Sequence, residues 1–136
     1  MSKEKSELKK EVEEDTITKL AETAYEVVRA YEKVNHNTKD PSWEDLGDYL
    51  RESMCTSVRL LRDSEKTSPA TLHELWVDSL VCEGWTYGKT INLEERTHTD
   101  LVNFRSLRPL ERAKYKLFYE TVSVGNIDNY KVRVVG

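Results

Sequence analysis

The chain has 136 residues, of which 38% are hydrophobic and 34% charged, and its formal net charge is −4. This length and polarity are typical of one globular domain, which we expect to bury roughly 68% of its unfolded surface. The acidic balance argues against a nucleic-acid binder, and the sequence has neither an apolar run near the ~20 residues of a membrane span nor a secretory signal.

Residues 1–15 mix both charges with almost no apolar residue, which fits either a solvated helical extension or a disordered tail. From Thr16 onward, apolar residues recur at three- and four-residue steps, which predicts an amphipathic helix ending before Asn35. The predicted inward positions of this helix are Ile17, Leu20, Ala21, Ala24, Val27, Val28, Tyr31 and Val34.

Pro41-Ser42-Trp43 predicts the start of a second helix, in which Ser42 caps and Asp45 completes a capping box. The predicted apolar stripe of this helix consists of Leu46, Tyr49, Leu50, Met54, Ser57, Val58 and Leu61. One flank of that stripe carries Arg51, Cys55, Arg59 and Arg62. The simpler interpretation is that this flank is solvated and that the aliphatic parts of its long side chains cover apolar surface.

Ser68-Pro69 predicts a third helix with Leu72, Leu75, Trp76 and Leu80 on its buried side and Gly84 as its stop. Residues 85–108 lack helical periodicity, which predicts an ordered loop with short extended pieces. Ordered loops of this length in compact domains more often have a function than not. A last helix is predicted from Pro109 to Gly125, with Leu110, Leu117, Phe118 and Val122 inward. The alternating residues 129–135 predict a short terminal strand.

The residues around this loop suggest a binding site rather than a catalytic one. Trp76, Trp85 and Tyr87 offer flat rings with polar edges, and Lys89, Arg96 and His98 follow on the same loop. Aromatic rings stack on bases and guanidinium groups bind phosphates, so a nucleotide site is one interpretation. Cation–π packing inside an ordinary core is the other.

No phosphate-binding glycine loop, zinc helix or nucleophile elbow is present, and the three histidines are not at metal-ligand spacing. Cys55 and Cys82 are too few for a disulfide framework or a four-ligand zinc site. We therefore expect no metal, no cofactor and no enzymatic activity, and we interpret both cysteines as free thiols in a reducing cytoplasm.

Several of these residues together resemble a known repeat. His73-Glu74-Leu75-Trp76, Gly84-Trp85-Thr86-Tyr87-Gly88, Arg96-Thr97-His98 and Leu101-Val102-Asn103-Phe104 resemble the RyR repeat, the module found in tandem in ryanodine receptors. Upstream, Ala30-Tyr31, Pro41-Ser42-Trp43, Arg51-Glu52-Ser53 and Val58-Arg59 resemble the stand-alone RyR domains of bacteria and their phages. The likeness covers about residues 19–125, and Lys89 stands where the family usually has proline.

The resemblance implies a mainly α fold of about four helices, with an ordered loop or short hairpin, to which the predicted terminal strand is added. The corresponding divisions are a charged extension at 1–15, an RyR-like domain at 16–125 and a tail at 126–136. The resemblance further implies an adenine nucleotide or nucleotide-derived signal as ligand, because paired RyR repeats of the receptors form a cleft that binds adenine nucleotide. A single repeat would then act as a homodimer, in the cytoplasm of the bacterium or of the phage's host.

The resemblance also implies roles for the site residues. Trp76 and Trp85 would wall the base, Arg59 and Arg96 would face phosphate, and His98 would orient the loop or donate to a ribose or phosphate oxygen; Tyr87 and Lys89 complete the set. The sequence leaves open whether such a pocket senses an immune signal or sequesters it. The alternative function is a protein-interaction or structural module that uses the same aromatic residues as core and interface anchors.

Overall fold

The computed structural model describes residues 2–125, with side chains from Glu4 onward, and contains four α-helices and two short strands within that range. In chain order these are α1 (Ser2–His36), α2 (Asp48–Asp63), α3 (Pro69–Cys82), β1 (Thr86–Tyr87), β2 (Thr97–His98) and α4 (Pro109–Gly125). Single 3₁₀ turns at Trp43–Asp45 and Phe104–Ser106 precede α2 and α4. The prediction of a mainly α fold with about four helices and short β pieces is confirmed. The predicted strand at 129–135 lies outside the described residues.

The chain divides into two compact units. Among the described residues, the first unit consists of residues 2–66 and 117–125, and the second consists of residues 67–116. Helix α4 therefore begins in the second unit and continues in the first.

Over residues 2–125, no helix has the length and apolar character needed to cross a membrane. The predicted division at residues 15 and 125 stays a prediction.

The core of the first unit forms around one face of α1. Its helical members are Ile17, Leu20, Ala21 and Ala24 of α1, Cys55 and Val58 of α2, and Phe118 and Val122 of α4; Trp43 and Leu46, between α1 and α2, are buried as well. The α1 residues recur at the three- and four-residue steps of a helix face, and the two alanines are fully buried. Small side chains at these positions let a neighbouring helix approach closely, so the predicted periodicity is correct for this part of α1.

The charged start of the chain is helical. Helix α1 begins at Ser2 and runs for 35 residues, about 52 Å at 1.5 Å per residue. Every side chain from residue 4 to residue 15 is exposed. Of the two alternatives left open by the sequence, the solvated helical extension is therefore the one observed.

The connection between α1 and α2 is fastened to α1 by Trp43. The Tyr25 hydroxyl donates to the Pro41 carbonyl at 2.6 Å, and the Glu26 carboxylate accepts the Trp43 backbone N–H at 2.8 Å. The buried Trp43 ring lies tilted against the Tyr25 ring, with centroids 6.0 Å apart. The bonds that Glu26 accepts from Trp43 and Arg29 hold the pKa of that carboxyl below its usual value, and burial raises the pKa of Tyr25.

The predicted start of the second helix is wrong. The chain makes only a 3₁₀ turn after Ser42, whose hydroxyl donates to the Asp45 carboxylate at 3.3 Å without capping any backbone N–H. Leu46 and Gly47 are extended, and α2 begins at Asp48. The turn is short because Trp43 is held on α1, and the chain must bend before a new helix can begin.

Several predicted inward positions are also wrong. Exposed instead are Val34 (83%), Tyr49 (76%), Leu50 (46%), Leu75 (38%) and Leu110 (51%). Cys55, predicted on the flank of α2, is buried beside Val58. The buried face of α2 is thus centred on these two residues, and Tyr49 and Leu50, in the first turn, lie outside it.

Candidate functional site

The ends of α3 are defined by local chemistry. The helix starts at Ser68-Pro69 as predicted, with Pro69 in the first turn. The structure adds a reciprocal capping box between Ser68 and Thr71. At its end Gly84 has a φ of +89°, a backbone conformation that glycine adopts without steric cost. The Trp85 N–H then donates back to the Leu80 carbonyl at 3.0 Å. The predicted stop at Gly84 is therefore confirmed.

The loop after α3 is organised around Thr97. Its backbone exchanges two 3.0 Å hydrogen bonds with Asn92, and its hydroxyl donates to the Thr90 carbonyl at 3.0 Å. Gly88 lies so close that a Cβ there would be 2.5 Å from the Thr97 Cβ. Strands β1 and β2 pair in parallel, with Thr86 opposite Thr97. Of the predicted ordered loop or short hairpin, the structure has an ordered loop, which contains a two-residue parallel strand pair and an antiparallel bridge between Asn92 and Thr97.

Four ring side chains of the second unit follow one another in space, and we call them the ring row: Trp85, His98, Trp76 and His73. The ring centroids of Trp85 and His98 are 6.5 Å apart, and those of His98 and Trp76 are 4.9 Å apart, edge to face. Trp76 stacks on His73 at 5.6 Å with an angle of 25° between the planes. Both indoles and His98 are partly exposed. The structure thus brings together three of the seven predicted site residues.

The hydrogen bonds of His98 define its tautomer. Its Nδ1 accepts the backbone N–H of Asp100 at 3.0 Å, so the proton of the neutral ring lies on Nε2. In this form Nε2 can donate to an acceptor but cannot accept a proton. Among the described residues Nε2 makes no hydrogen bond, which leaves one donor between the two indoles.

His73 is the residue of this row to which the sequence assigned no role. It is 1% exposed, its Nε2 donates to the Val102 carbonyl at 2.8 Å, and its ring meets Tyr115 edge-on at 5.1 Å. Within the described residues, its buried Nδ1 has no hydrogen-bond partner. The signal that could have found it is the three-residue step to Trp76, which places both side chains on one face of α3.

Arg96 lies at the end of the loop in the left-handed region, with a φ of +55°. Its Nη1 donates to the carbonyl of Glu83, at the C-terminus of α3, where the free carbonyls of a helix favour a cation. The residue is exposed, and the other guanidinium N–H groups remain as donors. Tyr87 (58% exposed) and Lys89 are also on the surface of this loop.

Arg59, the seventh predicted site residue, belongs to the first unit. Its guanidinium donates to the carboxylates of Glu14 at 2.8 Å and Glu52 at 2.9 Å, and these two bonds raise its pKa. Its charge is thus already balanced by two acidic side chains. Its role in a ligand site stays a prediction.

The described residues contain no group of three or more His, Cys, Asp or Glu side chains that could hold a metal ion. Both cysteines are free thiols, as predicted, but only Cys55 is buried, whereas Cys82 is exposed. Burial raises the pKa of the Cys55 thiol.

Comparison with protein families gives a match to the RyR domain over residues 60–133, just over half of the chain. The match includes Trp76, the glycine-flanked Trp85 and Tyr87, and His98. It therefore covers α3, the Thr97-centred loop and the ring row. Comparison with curated proteins and with solved structures gives no match.

Proposed function

This chain belongs to the RyR-domain family, and from that premise we propose that it is a binding module for an adenine nucleotide or a nucleotide-derived signal. The observation that carries the proposal is the ring row, in which two partly exposed indoles lie on either side of a histidine donor. Stacking of a base on an aromatic side chain contributes about 1–3 kcal/mol in single-stranded complexes. Trp76 and Trp85 would supply that contribution here.

The polar groups beside the row suit an anionic ligand that accepts hydrogen bonds. His98 Nε2 and the two indole N–H groups are donors, and Lys89 and Arg96 add positive charge on the same loop. The bond from Arg96 to the Glu83 carbonyl uses one guanidinium donor and fixes the side chain. The remaining N–H groups would pair with phosphate or ribose oxygens.

The same geometry favours binding over catalysis. A general base needs a free lone pair within reach of the proton that it abstracts. The only lone pair of the neutral His98 ring accepts the Asp100 N–H. We therefore propose that the ligand is held unchanged, and chromatography of the ligand after incubation would reveal any turnover.

In this proposal the chain works in the cytoplasm as a homodimer, and it either senses a nucleotide immune signal or, in a phage, sequesters one. Both roles need the same pocket, because both depend on tight, non-destructive binding. Arg59 of the first unit would bind an anion only if that anion displaced Glu14 or Glu52 from its guanidinium.

A thermal-shift panel tests the proposal with adenine nucleotides, cyclic dinucleotides and ADP-ribose derivatives. A ligand present at 100 times its Kd stabilises the folded state by about 2.7 kcal/mol, which corresponds to roughly 8–11 °C for a chain of this size. We expect Trp85→Ala to fold but to lose this shift. Tyr49→Ala, which removes an exposed ring of the first unit (76% exposed), is the matched control and should retain it. No shift with any compound at millimolar concentration would contradict the proposal.

A protein-interaction module is the second candidate, because the same loop exposes Ile91 (60%) and Leu93 (77%). Large exposed apolar side chains on a rigid loop are suited to bind a partner. Trp76→Ala separates the two functions. A folded variant that no longer responds to ligand supports the nucleotide site, whereas an unfolded variant together with a silent panel supports the interaction module.

A further inference from the structure

The solvated half of α1 carries an apolar pair that its own unit does not cover. Leu8 and Val12 are 66% and 61% exposed, and with Lys5 and Asp15 they recur at steps of three, four and three residues. We call these four residues the N-terminal stripe. At 100° per residue, the stripe lies about 150° around the helix from the buried face formed by residues 17–24. It therefore points away from the core of the first unit.

We propose that this stripe pairs with the same stripe of a second copy of the chain, in antiparallel orientation. The three–four spacing is that of a helix seam at which two helices meet. Antiparallel alignment places Leu8 opposite Val12 of the second copy, and Lys5 opposite Asp15. The stripe is thus complementary to itself, both in apolar contact and in charge.

Parallel alignment is less favourable because it places identical charges together. Lys5 would face Lys5 and Asp15 would face Asp15, and like charges at a helix contact are destabilising. Within its own helix Asp15 is 3.4 Å from Lys19, but both side chains are more than two thirds exposed. Such an exposed pair is weak, so Asp15 can exchange it for a lysine of the second copy.

The size of the seam predicts a weak dimer. Residues 4–15 span about 18 Å of helix, and each copy contributes only two apolar side chains. Lys9 and Glu11, which border the stripe, would each face their own counterpart and offset part of the gain. An interface this small lies below the ~1,000 Å² of a stable complex, and we expect a Kd on the order of 0.1 mM.

The pairing does not rest on nucleotide binding, because the stripe lies outside the matched residues 60–133. Sedimentation equilibrium of the full chain, from ~10 µM to ~1 mM without nucleotide, measures it directly. We expect reversible dimerisation of the unmodified protein. The double variant Leu8→Gln/Val12→Gln should stay monomeric over this range, and far-UV circular dichroism checks that its helix content is unchanged.

A charge exchange tests the orientation. Lys5→Glu and Asp15→Lys each place like charges opposite one another, so each should weaken the dimer about tenfold. The double variant restores opposite charges in the antiparallel arrangement and should regain most of the affinity. Lys10→Glu, on the far side of the helix from the stripe, changes the net charge as Lys5→Glu does and should leave the dimer intact.

Three results would overturn the inference. The first is a protein that stays monomeric at ~1 mM. The second is a dimer that survives Leu8→Gln/Val12→Gln, which would place any contact between copies elsewhere and leave the nucleotide proposal untouched. The third is a charge-exchanged double variant no better than the single variants.

Discussion

Gly88→Ala gives the most direct test of how tightly the loop is built. The added Cβ would lie 2.5 Å from the Thr97 Cβ, closer than carbon atoms approach without displacement. Thr97 cannot easily move away, because two backbone hydrogen bonds with Asn92 and a hydrogen bond from its hydroxyl to the Thr90 carbonyl hold it in place. Overpacking of this kind costs about 1–3 kcal/mol. For a chain of this length the cost corresponds to a fall in Tm of roughly 3–12 °C.

The assay is thermal unfolding followed by circular dichroism, with Gly47→Ala as the matched control. No atom lies within 4 Å of a Cβ at Gly47, and its φ of −64° suits any residue. Gly47 is the N-cap of α2, where alanine is disfavoured, and this cost offsets the gain of up to about 1 kcal/mol from a less flexible unfolded chain. Gly47→Ala should therefore be close to neutral. Thr97→Ala should not rescue Gly88→Ala, because the closest atom is the Thr97 Cβ itself. A Gly88→Ala protein as stable as the unmodified chain would show that the loop can accommodate a Cβ at residue 88.

Three further predictions concern single residues. Glu26→Gln should lower Tm at pH 7 because it weakens the bond to the Trp43 N–H. Since the folded state lowers the pKa of Glu26, this difference should begin to shrink as the pH falls below the ordinary value of 4.5, and it should be lost once the pH is below the pKa of the folded state. A difference as large at pH 3 as at pH 7 in a Tm-against-pH series would contradict this prediction. Iodoacetamide should modify the exposed Cys82 rapidly and the buried Cys55 only after unfolding, because burial shields the Cys55 thiol and raises its pKa. Mass spectrometry of the native protein should therefore find one adduct, and two adducts would contradict this prediction. Gly84→Ala should cost about 1–2 kcal/mol in urea unfolding, because its φ of +89° disfavours a side chain, and a cost near zero would show that the helix end is not strained.

The parts of the fold that the sequence predicts well are those encoded by neighbouring residues. Helix α3 begins at its capping box and ends at Gly84 because both signals act within a few residues. The Pro41–Asp45 segment carries equally good local signals, yet it does not begin a helix. Its geometry depends on contacts of Trp43 with α1, 17 and 18 residues away in sequence, which periodicity does not report.

The site follows the same division. Trp76, Trp85 and His98 lie together with His73 in the ring row because the loop folds back against α3. The RyR motif includes residues of both the loop and α3, so the sequence could predict that these three residues belong to one site. His73 received no role because its place depends on Val102, 29 residues away. Arg59 was expected to face a phosphate, but Glu14, 45 residues away, and Glu52 now balance its charge. Charge on a helix flank does not reveal which carboxylate will reach it.

The indole N–H signals of the three tryptophans test ligand binding at the ring row in one NMR titration. Trp76 and Trp85 belong to the ring row, whereas Trp43 is buried against Tyr25 in the first unit and serves as an internal control. On titration with the compound that gives the largest thermal shift, the Trp76 and Trp85 signals should change saturably and the Trp43 signal should stay unchanged. A titration in which neither ring-row signal moves at millimolar ligand, or in which Trp43 alone responds, would contradict binding at this site.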